Sequence, residues 1–151
     1  MNYFSLEAEA ALIGSILIDD SLATDTKVKS DYFYSEDYAS IFSAVESLRD
    51  AGDKIDIVTV ASRLKERLEY LGGVKTLSAL SSSVPSTSSF KEYERIVIDK
   101  YIFRSGLTAL HTMRTKDYDN PKQFVNEIRS VADGLEFYSQ ESKGLQRISS
   151  A

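Results

Sequence analysis

Apolar residues recur along nearly the whole chain at spacings of three and four, and a chain patterned this way buries its apolar surface by forming helices and packing them together. Leu6, Ala10, Ile13 and Leu17 make the first stripe, widened by Leu12 and Ile16, with Ser5 placed as its N-cap. Ser35-Glu36-Asp37 opens a second helix on Tyr38, Ile41, Phe42, Val45 and Leu48, which Ala51-Gly52-Asp53 ends. Asp56 is placed to cap a third, on Ile57, Val60, Ala61, Leu64 and Leu68. The β-branched run from Ile55 to Val60 could mimic a strand, but its continuation at helical spacing favours helix. Gly72-Gly73 separates this helix from a short one on Val74, Leu77 and Leu80.

Ser81 to Ser89 holds six serines in nine residues together with Pro85, and so reads as a loop. Ser89 and Glu92 have capping-box spacing for a helix carrying Phe90, Tyr93, Ile96, Val97 and Tyr101. Beyond Lys100 the stripe continues as Phe103, Leu107 and Leu110, rotated by roughly a third of a turn at about 100° per residue. Either the helix breaks there or it changes packing partner. Asp117 to Asn120 is a polar turn, and Asn120-Pro121 starts a last helix on Phe124, Val125, Ile128, Val131, Ala132 and Leu135. From Ser139 to Ala151 the periodicity fades, as at the start of a linker. The expected fold is all-α: a compact multi-helix head over 1–99, a helical hairpin over 100–138 and a linker start over 139–151.

A chain of 151 residues has room for one domain with a substantial core. Zero cysteines remove disulfides, thiol nucleophiles and cysteine zinc sites, and a lone His111 removes any two-histidine metal clamp. No G-x-x-x-x-G-K-[ST] or G-x-G-x-x-G pattern provides a phosphate cradle. The carboxylates Asp19, Asp20, Asp50, Asp53 and Asp56 fall at helix ends, where they cap helices, and the aromatic group Tyr32, Phe33, Tyr34 and Tyr38 reads as packing. No catalytic, cofactor-binding or metal-binding residue is assigned. Net charge is −5, which gives no overall support for gripping DNA phosphates. Direct nucleic-acid binding is not expected, and protein partners are. The opening Met1 to Glu7 lacks a basic leader and the apolar stretch Ala11 to Ile18 is too short for a membrane span, so a cytoplasmic chain is expected.

Two helices of about sixteen residues are marginal alone, so the arm must bury an apolar face on something. If Phe103, Leu107, Leu110, Phe124, Ile128 and Leu135 close the hairpin, then Ile102, Met113, Val125, Val131 and Phe137 remain for a further contact. The physics leaves two destinations open, another subunit or the chain's own head.

Several landmarks stand in one order along the chain. These are Glu7-Ala8-Glu9-Ala10-Ala11-Leu12-Ile13-Gly14-Ser15, Phe33-Tyr34 followed by Ile41-Phe42, and Asp56-Ile57-Val58-Thr59-Val60. Gly72-Gly73, Val84-Pro85-Ser86 and Tyr93-Glu94-Arg95-Ile96-Val97 follow. Over residues 6 to about 138 this series resembles the amino-terminal domain of DnaB-type replicative DNA helicases. Departures at Ala10, at Tyr38 and in the glycine-free segment Lys65 to Glu69 mark a divergent member, of cellular or phage origin.

The resemblance implies a collar over an ATPase ring, self-assembly into dimers or a hexamer through paired hairpins, and docking of primase and helicase loader. It assigns arm packing and assembly to Tyr93, Ile96, Phe103, Leu107, Leu110, Phe124, Ile128 and Leu135. This segment would be non-catalytic and carry no cofactor. ATP and Mg2+ would belong to a motor domain beyond Ala151, with which the parent would unwind DNA. Two alternatives stay open, the helicase-binding helical domain of a primase, against which the opening Met1 speaks, and a stand-alone helical interaction module.

Overall fold

The computed structural model describes residues 2–150, with side chains through Leu145, and among the described residues it contains helices and no strand. Helix α1, Leu6–Ile18, is the central element. Ser5 caps it by accepting from the Ala8 amide at 3.1 Å, and Leu12, Ile13 and Ile16 are wholly buried. It packs on α5, Val74–Ser82, and on the first half of α6, Phe90–Arg114. Gly14 makes the α1–α5 crossing possible: a methyl group there would sit 2.2 Å from the Leu80 carbonyl oxygen.

Short 3-10 turns at Asp20–Ala23 and Ser30–Tyr32 lead into α2, Glu36–Asp50, which Ser35 caps. Helix α3, Ile57–Leu64, opens on a reciprocal capping box. The Thr59 amide donates to Asp56 Oδ1 and the Asp56 amide to Thr59 Oγ1, both at 2.9 Å. Two orphan backbone donors are thus satisfied, and the β-branched run is helical as its spacing requires.

The third stripe is not one helix. At Lys65 the backbone turns to φ 55°, ψ −127°, and α4 begins separately as Arg67–Tyr70. That conformation suits glycine, because a Cβ crowds the backbone there. Lys65→Gly is therefore expected to stabilise the fold by about 1 kcal/mol, the relieved strain exceeding the added chain entropy. A thermal melt should show the midpoint rising by about 2–4 °C.

The capping box expected from Ser89 and Glu92 does not form. A 3-10 turn, Thr87–Ser89, leads into α6 with Ser86 accepting from the Ser88 amide, while Glu92 pairs with Arg95. Helix α6 runs 25 residues without a break at Lys100. The rotation of its stripe records a change of partner: Phe90, Val97 and Ile98 are buried in the head, whereas Met113 is buried far out on the arm. Asn120 caps α7, Pro121–Ser150, by accepting from the Gln123 amide at 3.0 Å.

Helix α7 continues well past 138, so residues 139–150, expected to lose helical order, are helical. The expected linker's last residue, Ala151, lies outside the described residues. The continuation is anchored on the head. The Tyr138 ring meets those of Tyr101 and Tyr32 at 5.3 and 5.4 Å, Ser142 donates to Asp99, and Leu145 is 4% exposed. The core is thus closed by the start of α6 and the returning end of α7, and the second half of α6 and the first half of α7 project as the arm.

Candidate protein-interaction surface

On α6, positions 102, 106, 109 and 113 share one line at about 100° per residue, and on α7 positions 127, 131, 135 and 138 do the same. These lines seal the hairpin. Gly106 permits the close approach, since a methyl there would lie 3.0 Å from Leu135 Cδ1, and Met113 is 6% exposed. At the tip Tyr118 packs edge-on against Phe124 with ring centroids 5.2 Å apart, and Lys116 pairs with Glu127 at 2.8 Å.

This packing exchanges part of the roles expected from the sequence, although Val125 and Phe137, expected to be left over, are exposed at 46% and 59%. Met113, Ile102 and Val131, expected to be left over, lie on the sealed lines. Phe103, Leu107, Leu110, Phe124 and Ile128, expected to close the hairpin, stand between 43% and 52% exposed. Leu135 alone of the expected set stays on the seam. Tyr93 and Ile96 lie on the head portion of α6, half-buried against the core.

In an antiparallel pair, residues displaced the same way around each helix from the seam emerge on the same side. Phe103, Leu107 and Leu110 on α6 are displaced like Phe124, Val125 and Ile128 on α7. All six therefore share one broad face of the hairpin. Phe137, 59% exposed, is displaced the other way.

The base of this face is rigidly built. Arg104 Nη1 donates to the Tyr3 carbonyl at 2.9 Å and Nη2 to the Tyr32 carbonyl at 2.7 Å, and the guanidinium lies 5.5 Å from the Tyr34 ring centroid. Glu9, 2% exposed, receives the Tyr34 amide at 2.8 Å and the Ser35 amide at 3.1 Å. Burial pushes the Glu9 carboxyl above its ordinary pKa, while those two amides and the charge on Arg104 oppose the shift. Arg104 and Glu9 together fix the segment 32–35 and tie it to the root of the arm. Sequence reading missed both. Glu9 carried a signal as part of the Glu7-Ala8-Glu9 landmark, and Arg104 carried none.

Among the described residues no three His, Cys, Asp or Glu side chains are grouped to hold a metal, and no helix is long and apolar enough to cross a membrane. What the arrangement offers is an apolar face on a stiff lever, held at a fixed angle to the head.

Known proteins share this architecture. Residues 1–99 match the family model described as the DnaB-like helicase N terminal domain. The replicative DNA helicase DnaB of Treponema pallidum is 34% identical over 120 residues, which covers 77% of this chain and 27% of that protein. The replicative DNA helicase DnaC of Bacillus subtilis is 31% identical over 134 residues, covering 85% and 29%. The chain thus spans less than a third of the length of these relatives.

Among solved structures, that of a DnaB-like replicative helicase, described with its interactions with primase, superimposes with a TM-score of 0.78 at 25% identity. It covers 85% of this chain and 31% of that one. The N-terminal domain of DnaB helicase from Mycobacterium tuberculosis superimposes with a TM-score of 0.71 at 23% identity, over 94% of this chain and 99% of that one, a likeness of fold.

Proposed function

Because the chain belongs to the family of DnaB-like helicase N-terminal domains, we propose that it is the collar domain of a hexameric replicative DNA helicase, assembling copies through its hairpin and docking primase and the helicase loader. Unwinding, with ATP and Mg2+, belongs in this reading to a motor domain that the 151 residues do not include. The observation that carries the assembly role is the half-exposed apolar face formed by Phe103, Leu107, Leu110, Phe124 and Ile128. Isolated apolar residues are ordinary on a protein surface, but a contiguous set on a projecting lever marks a contact. The solved helicase described with its interactions with primase, of which this chain covers 31%, supports a docking role.

In this division of labour the head, about 1–99, sets the arm's angle, and the arm, about 100–138, supplies the contacts. Tyr93, Ile96 and Leu135 act by holding the arm's root and seam, and the five exposed residues act on the partner. The acidic balance leaves DNA contacts to the parent's motor.

Leu107→Asp combined with Ile128→Asp tests the assembly role. Both side chains stand about half in solvent, so the helical circular-dichroism spectrum should be unchanged. Each large apolar group lost from an interface costs roughly 1.5–3 kcal/mol, so self-association should weaken at least about 100-fold. Size-exclusion chromatography with light scattering reads the effect, and a variant that associates like the parent sequence would refute the assignment.

A further inference from the structure

Ser40, Ser43 and Ser47 follow one line of α2, at spacings of three and four. Between this line and α3–α4 lie two hollows, of about 250 and 620 Å³, that meet at Arg63 and form one open groove across the head. Its walls are α2, α3, the turn before α3 and the start of α4, none of which belongs to the arm.

Charge is segregated there. The chain as a whole carries −5, yet the groove is lined by four cations, Lys54, Arg63, Lys65 and Arg67, against one carboxylate, Asp53, a local balance of +3. Asp53 is engaged by Arg63 Nη2 at 3.2 Å. Among the described residues Lys54, Lys65 and Arg67 have no ion-pair partner. The guanidiniums are positioned by hydroxyls: Arg63 Nη1 donates to Ser47 Oγ at 2.7 Å, and Arg67 Nη1 to Ser40 Oγ at 3.2 Å. Neutral acceptors fix a guanidinium without cancelling its charge, which leaves it ready for an anion. Lys65 holds its glycine-favouring φ of 55° while its side chain lines the groove, and strained residues gather at ligand clamps.

We propose that this groove docks a short acidic segment of a partner protein, in polyproline II conformation, with carboxylates at positions i and i+3 seated on Arg63 and Arg67. Spacing supports the register. Ser40 and Ser47 are about 10 Å apart along α2 at about 1.5 Å per residue. In a polyproline II segment residues i and i+3 face the same way, about 9 Å apart. Val58, 75% exposed at the wide end of the groove, offers contact to an apolar neighbour of the carboxylates.

The limits of the basic lining select a peptide over a nucleic acid. Beyond Arg67 the next hollow is lined by Glu36 and Asp37, so a polyanion leaving the groove would meet like charge on an acidic protein. Carboxylates confined to one turn stay within about a Debye length, roughly 8 Å, of the four cations. The inference does not depend on the hairpin's assembly role.

Fluorescence anisotropy of the 151-residue chain with a labelled Leu-Glu-Pro-Pro-Glu-Leu peptide tests it. The peptide should bind about tenfold more tightly than its Leu-Gln-Pro-Pro-Gln-Leu counterpart, by an advantage that shrinks as salt rises. Arg67→Gln and Lys65→Gly should each weaken it about threefold. Lys65→Gly should do so while remaining at least as stable to heat as the parent chain, which separates lost binding from lost fold. Leu107→Asp with Ile128→Asp should bind the peptide like the parent chain. Equal affinity for the two peptides, or variants of Arg67 and Lys65 that bind like the parent, would overturn the proposal. A labelled twelve-residue oligothymidylate that binds more tightly than the glutamate peptide would overturn it in favour of a nucleic-acid groove.

Discussion

Gly14→Ala is expected to destabilise the fold by about 3 kcal/mol or more, enough to remove a large share of the stability of a domain this size. The added methyl would meet the Leu80 carbonyl oxygen at 2.2 Å, the Leu80 carbonyl carbon at 2.9 Å and Val84 Cγ2 at 2.8 Å. Two of these three atoms are backbone, in the last turn of α5, and cannot rotate away. Relief requires α1 to move off α5, and α1 carries Leu12, Ile13 and Ile16, all wholly buried. A close-packed interior converts such a shift into lost contacts along the whole helix. Chemical denaturation should show the midpoint falling sharply, and a loss below about 1 kcal/mol would mean that the helices do not cross this closely.

Glu9→Ala should be the next most damaging single change, at about 3–5 kcal/mol. It leaves the Tyr34 and Ser35 amides without their acceptor and removes the carboxylate whose charge favours the half-buried Arg104 guanidinium. Each hydrogen bond to a charged group contributes roughly 1.5–3 kcal/mol, and an unsatisfied buried donor carries its own desolvation cost. Glu9→Gln should be milder, because one amide oxygen still accepts while the NH2 group confronts the second donor.

The pH dependence has a definite sign. Burial raises the pKa of Glu9 in the folded protein above its unfolded value. Its contribution is therefore complete below the ordinary carboxylate pKa and is lost as pH rises through the raised one. The stability gap between the parent sequence and Glu9→Gln should narrow across that window, and a gap that widens with pH would contradict the burial argument.

Helix identity was legible in the spacing because each helix buries one face against a shared core, and that requirement writes a period of 3.6 into the residues. Caps at Ser5, Ser35, Asp56 and Asn120 were legible for a related reason, since short polar side chains before an apolar stripe have few other uses. What escaped had weaker local causes. The residue types in Arg63-Leu64-Lys65-Glu66 do not announce that Lys65 adopts a backbone better suited to glycine, and the one hint was the missing glycine noted for the segment Lys65 to Glu69. The hairpin seam was assigned to the largest apolar residues, yet it also runs through Gly106, whose contribution is the absence of a side chain. The return of α7 onto the head was hidden because Tyr138, Ser142 and Leu145 keep helical spacing while one of them is a serine whose partner, Asp99, lies far away in sequence.

The packing of the candidate residues within the arm differs from the packing expected of them. The arm carries more apolar residues than a two-helix seam can bury, and Phe103, Leu107, Leu110, Phe124 and Ile128 were expected to be among those that close it. The number of such residues could be read from the sequence, but the side on which they emerge could not, because it depends on which line of each helix the partner helix covers.

Sedimentation equilibrium of the 151-residue chain, from low to high micromolar concentration, asks most simply whether the half-exposed face of the hairpin is an assembly surface. The mass should rise with concentration from that of one chain, 16.9 kDa, to at least twice that value, and Leu107→Asp with Ile128→Asp should hold it at one chain throughout. A parent chain that stays at the mass of a monomer over the same range, as well folded as its variant, would contradict the reading.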